Sequence, residues 1–367
     1  MTTPLEAVIR ERIRAEGPLS LGAYMDLCLA HPEHGYYMTR DPFGCGGDFT
    51  TAPEISQLFG EMIGAWLADL WIKAGRPSPF ILLECGPGRG TLMADIMRAT
   101  KGVAGFHEAA RVTLMEMSPV LKALQAELLS AYGPFWIDDA TQLDSKAPVF
   151  LVANEFLDAL PVRQFVVKGG VLHERCVSIG GDGAFCYVLS ALEKDDVRAL
   201  GFGDGAPVKD GIYERSPVLN EILKKLFFIL KKQSGAALFL DYGYMRMAAG
   251  DTLQAVKNHG YAGIFDTPGL CDLTAHVDFE NIGRIGREAG LCVHGPVTQG
   301  HFLRALGIET RAAMLRKGAN KAQAEALSSG LSRLIDTGGM GSMGALFKVI
   351  GLTSDPKMMP EGFDENL

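Results

Sequence analysis

The feature that most constrains this chain is the run Phe80-Ile81-Leu82-Leu83-Glu84-Cys85-Gly86-Pro87-Gly88-Arg89-Gly90-Thr91-Leu92. An apolar stretch ends in an acid, three alternating glycines follow, and a helical pattern begins. This order predicts a strand, a tight turn whose backbone can approach a ligand with no side chain in between, and a helix whose N–H groups face inward. A glycine-rich loop alone also fits a plain strand-to-helix turn.

The rest of the chain supports the ligand-binding reading. From residue 80 onward, short apolar runs at 80–85, 112–115, 135–137, 149–153 and 236–240 alternate with helical patterns over 91–99, 118–131 and 216–232. Such alternation implies parallel strands joined by right-handed crossovers, a Rossmann-like, doubly wound α/β sheet. Runs at 164–167, 171–177 and 184–189, separated by glycine-rich turns, predict an antiparallel β insertion around 162–190. A helix over 278–289, a strand over 291–297, two helices within 307–335 and a last strand over 345–352 complete the pattern. Ahead of the sheet, residues 4–30 and 54–74 have helical periodicity and 31–53 form a long loop with aromatic residues. The expected organisation is an N-terminal helical and loop region over 1–79 and an α/β domain over 80–367.

Spacing separates two cofactor classes. The dinucleotide fingerprint is G-x-G-x-x-G, with a pyrophosphate on the open helix N-terminus. Here the spacing is G-x-G-x-G, with Glu84 two positions ahead. An acid there repels a diphosphate and suits a cationic amino-acid tail. S-adenosylmethionine, with an ammonium and a sulfonium, is therefore expected over NAD, on Glu84, Gly86, Pro87, Gly88 and Gly90. Glu116 ends the second strand, where a carboxylate can accept from two ribose hydroxyls, or it is a surface acid. Its separation from Gly86 exceeds the usual ~20 residues, and a loop around 102–106 accounts for the excess. Met117 is placed to pack on the adenine. Asp138 or Asp139 could accept from the adenine amino group, although plain helix caps would look the same.

The fourth strand runs into Asn154-Glu155-Phe156-Leu157-Asp158-Ala159-Leu160-Pro161. Ligands of open α/β sheets bind beyond the carboxyl ends of the strands, so this segment is expected at the reacting centre. Asn154, Glu155 and Asp158 are the candidate catalytic groups, because carboxylates can align a guanidinium through paired hydrogen bonds. A capping turn before Pro161 is the plainer alternative.

Composition limits the partners. The 367 residues carry a formal charge of -8 without a charged tail, which argues against a nucleic-acid surface. No apolar run approaches the ~20 residues that span a bilayer, so no membrane insertion is expected. The seven cysteines are scattered and odd in number, and neither they nor the eight histidines have metal-binding spacing. No metal is expected. Alternating Arg and Glu over the first 16 residues resemble neither a signal nor a transit peptide, so a cytoplasmic location is expected.

Several motifs together resemble the MidA family, which includes mitochondrial complex I assembly methyltransferases that modify an arginine. They are Gly35-Tyr36-Tyr37, Asp48-Phe49-Thr50-Thr51-Ala52-Pro53-Glu54-Ile55-Ser56, the 84–90 loop, the 154–161 segment, Asp241-Tyr242-Gly243 and Asp272-Leu273-Thr274-Ala275-His276-Val277-Asp278. They span nearly the whole chain in collinear order. The resemblance implies a class I methyltransferase core, S-adenosylmethionine as cofactor and a protein arginine as acceptor, with a complex I subunit as a plausible partner. A mitochondrial presequence is not evident, which implies a bacterial relative. The 48–54 loop, with Thr51 and Glu54, is expected to cover the cofactor or bind the acceptor, or else to cap a helix. Two other readings stand beside this one: a small-molecule methyltransferase, and an assembly chaperone that binds the cofactor without turnover.

Overall fold

A computed structural model describes residues 3–44, 47–143, 146–192, 209–339 and 341–364. The chain begins with helices Pro4–Glu16 and Leu21–Ala30, joined through the two-residue strand β1 (Leu19–Ser20). Short helices Tyr36–Thr39 and Ala52–Ile55 follow, and then the long helix Gln57–Lys73. The next strands are β2 (Phe80–Cys85), β3 (Ala110–Met115), β4 (Phe135–Ile137) and β5 (Val149–Asn154). β6 (Arg163–Lys168), β7 (Val171–Ile179), β8 (Phe185–Ala191) and β9 (Gly211–Arg215) pair antiparallel. Thus the antiparallel unit expected around 162–190 continues to Arg215, and β1 from the N-terminal region pairs with β7.

The chain returns to the main sheet through helix Pro217–Gln233 and β10 (Gly235–Tyr244). A small sheet of β11 (Gln254–Lys257), β12 (Gly260–Ala262) and β13 (Asp272–Thr274) comes next. The two-residue β14 (Val277–Asp278) leads into helix Phe279–Glu288. The last strands are β15 (Cys292–Thr298) and β16 (Phe347–Thr353), with helices Gln299–Ala305, Ile308–Arg316 and Lys321–Ile335 between them. The main sheet has the order β15-β16-β10-β5-β2-β3-β4. β4, β3, β2, β5 and β10 are parallel, and β16 runs antiparallel to β10 and β15. This is the doubly wound sheet that the strand–helix alternation predicts.

Side-chain alternation explains why both faces are covered. Phe80, Leu82, Phe150, Val152, Leu238 and Leu240 point into a core with helices Gln57–Lys73 and Thr91–Thr100. Ile81, Leu83, Cys85, Leu151, Ala153 and Phe239 point into the opposite core with helices Pro217–Gln233 and Phe279–Glu288. A third core joins Leu5, Ile9, Tyr24 and Met25 to Val177 of the antiparallel unit and Leu273 of the small sheet. That packing closes the N-terminal helices over the carboxyl ends of the parallel strands.

Candidate active site

The glycine loop has the conformation its sequence predicts. Gly86, Gly88 and Gly90 all have positive φ, at 65°, 54° and 87°. Only glycine adopts this at little cost. A Cβ on Gly86 would lie 2.6 Å from the Phe156 ring, and one on Gly88 would lie 3.2 Å from the Phe43 ring.

Glu84, at the end of β2, is buried at 3% exposure. Its Oε2 has no hydrogen-bond partner, and burial holds the ligand-free carboxyl well above the usual carboxylate range. Asn154, at the end of β5, is in a similar position: its Nδ2 donates to Glu155 Oε1 at 3.2 Å, while the buried Oδ1 is unpartnered. Both residues line a small cavity against the glycine loop, together with Thr51, Pro53, Glu54 and Glu155. Buried acceptors without a donor are costly. Two of them on one cavity fit an ammonium, the group that the methionine tail of S-adenosylmethionine would bring.

A cleft of about 930 Å³ opens beside this cavity. Gly86, Gly88, Glu116, Met117, Asp138, Asp139, Glu155 and Asp158 all line it. Its size is within the usual range for a small-molecule site. Glu116 Oε1 accepts the N–H groups of Met117 and Ser118, each at 2.8 Å, and Oε2 accepts from Gln125 at 3.2 Å. Burial raises the Glu116 pKa. Met117 is 59% exposed at the rim. Asp138 is paired with Lys122 and Asp139 with Lys225, both at 2.7 Å. Asp139 also caps a 3₁₀ turn by accepting from Thr141 N–H, the role that its sequence context left open.

The acidic character of the cleft centres on the segment after β5. Glu155 is held in the left-handed region at φ 51°, an uncommon conformation for a residue with a Cβ. Its Oε1 accepts from Ala52 N–H at 2.8 Å. Burial pushes its pKa up to about 7, and that of Asp158 to about 6. Asp241 Oδ2 accepts the N–H groups of Leu157 and Asp158, which fixes the turn. The Asp241 pKa is raised by burial and by Asp158 and Glu155.

Other residues at the site were not identified from sequence. Asp272, on β13, accepts from the Tyr37 hydroxyl at 2.9 Å, and its pKa is pushed up to about 8 by burial and by Asp158. Asp48 accepts from the Tyr36 hydroxyl at 2.6 Å and from Asn258 N–H. Asp48, Asp241 and Asp272 all lie in motifs quoted above, but nothing local shows that they converge. Among the described residues, no lysine or arginine makes an ion pair with Asp48, Glu155, Asp158, Asp241 or Asp272.

The structure places Thr51 and Glu54 on the small cavity, not in the large cleft. Glu54 accepts from the Thr91 hydroxyl at 2.5 Å, at the start of the helix after the glycine loop. Arg89 reaches from that loop to Asp41 at 2.8 Å. Asp41 and Glu54 therefore find their donors on the glycine loop and the helix that follows it.

Residues 62–297 match the family described as "Putative S-adenosyl-L-methionine-dependent methyltransferase". The chain belongs to this family. It is 35% identical to the Drosophila melanogaster protein arginine methyltransferase NDUFAF7 homolog, mitochondrial, covering 91% of this chain and 82% of that protein. It is 32% identical to the Danio rerio protein arginine methyltransferase NDUFAF7, mitochondrial, over 93% of this chain and 86% of the relative. A COG1565 superfamily member from Burkholderia thailandensis, solved with S-adenosyl-homocysteine bound, superposes with a TM-score of 0.80 at 28% identity. That match covers 99% of this chain and 93% of the other. Among the described residues, no helix is long and apolar enough to cross a membrane.

Proposed function

We propose that this chain transfers a methyl group from S-adenosylmethionine to a guanidinium nitrogen of a protein arginine. The observation that carries this reading is an acidic cleft, without basic partners for its central carboxylates, that adjoins two unpartnered buried acceptors at a glycine loop. Family membership and the names of the relatives support it.

Glu84 and Asn154 would hold the ammonium of the cofactor, and Glu116 the ribose hydroxyls. Met117, Asp138 and Asp139 also line the cleft and would face the adenine. When bound, S-adenosylmethionine supplies an electrophilic methyl group on a positively charged sulfur. Asp158 can accept from a guanidinium and orient it, with Glu155 facing the attacking nitrogen. Glu155, whose pKa is near 7, is suited to take the proton that the methylated nitrogen sheds.

We further infer that the acceptor is a respiratory complex I subunit and that the reaction takes place in the cytoplasm. The first rests on the motif resemblance to a family with complex I assembly members. The second is supported by the free thiols at Cys28, Cys85, Cys176, Cys186, Cys271 and Cys292, which suit a reducing compartment. The experiment is incubation of the protein with methyl-labelled S-adenosylmethionine and lysate from a strain deleted for it. Label on an arginine of a complex I subunit is expected. Label confined to small molecules, or absent, would overturn the reading.

A further inference from the structure

We propose that Asp158 and Asp272 are the two arms that receive the guanidinium of the acceptor, and that Tyr37 is the positioning residue that holds Asp272 for this role. The inference rests on the methyltransferase reading above and assigns the acceptor end of the same site.

Backbone and side-chain contacts bring the two acids together from distant parts of the chain. Ala275 N–H, just beyond β13, donates to the Asp158 carbonyl at 3.1 Å, which fixes the β13 end against the turn after β5. The Tyr37 hydroxyl, from the N-terminal segment, donates to Asp272 Oδ1 at 2.9 Å. Tyr242, at the end of β10, lines the cleft beside both acids. Asp158 and Asp272 are both more than nine-tenths buried, and both line the large cleft.

The surroundings of Asp272 provide no counter-charge. Tyr36, Tyr37 and Asp48 from the N-terminal segment, Asp158 after β5 and Tyr242 on β10 act on it, and none is cationic. The cleft wall also holds Lys225, His259, His276 and Arg333, and Arg40 lies over the Tyr36 ring, but among the described residues none of them makes an ion pair with Asp272. Burying a carboxylate without a cation is costly, and burying two side by side more so. A fold that retains both is complementary to a ligand that brings positive charge.

A planar guanidinium offers five N–H donors in a fixed fork and can bridge two carboxylates, while a compact ammonium cannot span them equally well. The rings of Tyr37 and Tyr242 also line the cleft and can pack on a guanidinium face. Asn154 Oδ1, read above as a contact for the cofactor ammonium, marks where the cofactor part of the site ends. It is buried and unpartnered, and it adjoins Glu155, whose side chain lies on the wall shared by the cleft and the small cavity. An unused acceptor thus stands between the glycine loop and the acidic end. Asp272 lines the large cleft but not the small cavity of Glu84 and Asn154, so its removal should leave their contact with the cofactor ammonium intact.

The test uses the full chain saturated with S-adenosylhomocysteine, titrated with N-acetyl-arginine amide, N-acetyl-citrulline amide and N-acetyl-lysine amide and followed by NMR. The arginine probe should bind and the neutral isostere citrulline should not. Asp272→Asn should weaken arginine-probe binding by about tenfold or more, as expected when one arm of a buried charge pair is removed. Tyr37→Phe keeps the ring and should raise the pH midpoint of probe binding by about half to one unit, because the hydrogen bond that favours the charged carboxylate is lost. A purely structural role for Tyr37 would not move that midpoint.

S-adenosylhomocysteine affinity is measured on every protein. If wild type fails to bind it, the methyltransferase reading itself falls. If wild type binds it but Asp272→Asn holds the arginine probe as tightly as wild type, this inference falls and that reading stands. Should Asp272→Asn not fold, an unchanged pH midpoint in Tyr37→Phe overturns the proposal. Equal binding of the lysine and arginine probes would overturn it as well.

Discussion

Glu155 Oε1 accepts the backbone N–H of Ala52 at 2.8 Å, a contact between residues 103 apart in sequence. It ties the start of helix Ala52–Ile55 to the carboxyl end of β5, and so fixes the direction of a carboxylate that faces the cleft. The same N-terminal segment reaches the glycine loop through Asp41–Arg89 and Glu54–Thr91. The residues ahead of the α/β sheet therefore form part of the site wall.

Glu155→Gln keeps an acceptor for Ala52 but removes the charge and the proton-accepting group. Turnover on the protein acceptor should fall by about 100-fold or more, the usual size of a lost general base. S-adenosylhomocysteine affinity, measured by titration calorimetry, should stay near wild type. Parallel loss of both would assign Glu155 to the cofactor.

Gly88→Val places a branched side chain where φ is 54° and the Phe43 ring is 3.2 Å from the Cβ position. Strain and overlap act together on the loop. Binding of S-adenosylhomocysteine should become undetectable by calorimetry, with the far-UV circular dichroism spectrum unchanged. Normal binding would remove the loop from the cofactor site.

Glu84→Gln tests the unpartnered Oε2. The substitution keeps the shape but removes the negative charge that an ammonium would meet. S-adenosylhomocysteine should bind about tenfold more weakly, in line with the strength of a charge-assisted hydrogen bond. An analogue without the amino group should bind wild type and variant alike. An equal loss for both ligands would mean that Glu84 does not meet the ammonium.

The buried carboxylates predict a specific pH dependence of stability. Burial raises Glu155 to about 7, Asp158 to about 6 and Asp272 to about 8, whereas unfolded carboxyls titrate near 4. Between these limits the folded chain binds more protons than the unfolded chain, so stability falls as pH rises. The ligand-free protein should lose several kcal/mol between pH 5 and 8, measured by urea unfolding. Asp272→Asn should flatten that slope. A stability that rises over this range would contradict the environments described here.

Much of the fold could be read locally. The strand Phe80–Cys85 and the helices flanking it are marked by an apolar run, three glycines and a periodic pattern, all set by neighbours in sequence. The helices Ile308–Arg316 and Lys321–Ile335 are equally visible. The small sheet of β11, β12 and β13 was not, because strands of three or four residues hold too little alternation to stand out. The span of the antiparallel unit was underestimated because β9 joins it from beyond residues 193–208, which lie outside the described structure.

The sequence by itself determined the doubly wound sheet, the side-chain-free bend at Gly86–Gly90 and the position of Asn154, Glu155 and Asp158 at a strand end. Each follows from short-range rules of chain geometry and burial. Tertiary structure alone decided that Thr51 and Glu54 face the glycine loop, that Asp139 is spent on a cap and on Lys225, and that Asp272 meets Tyr37 beside Asp158. Those outcomes depend on which distant groups share a buried volume. Charges and hydrogen-bond donors act through space, and their separation along the chain carries no record of that proximity.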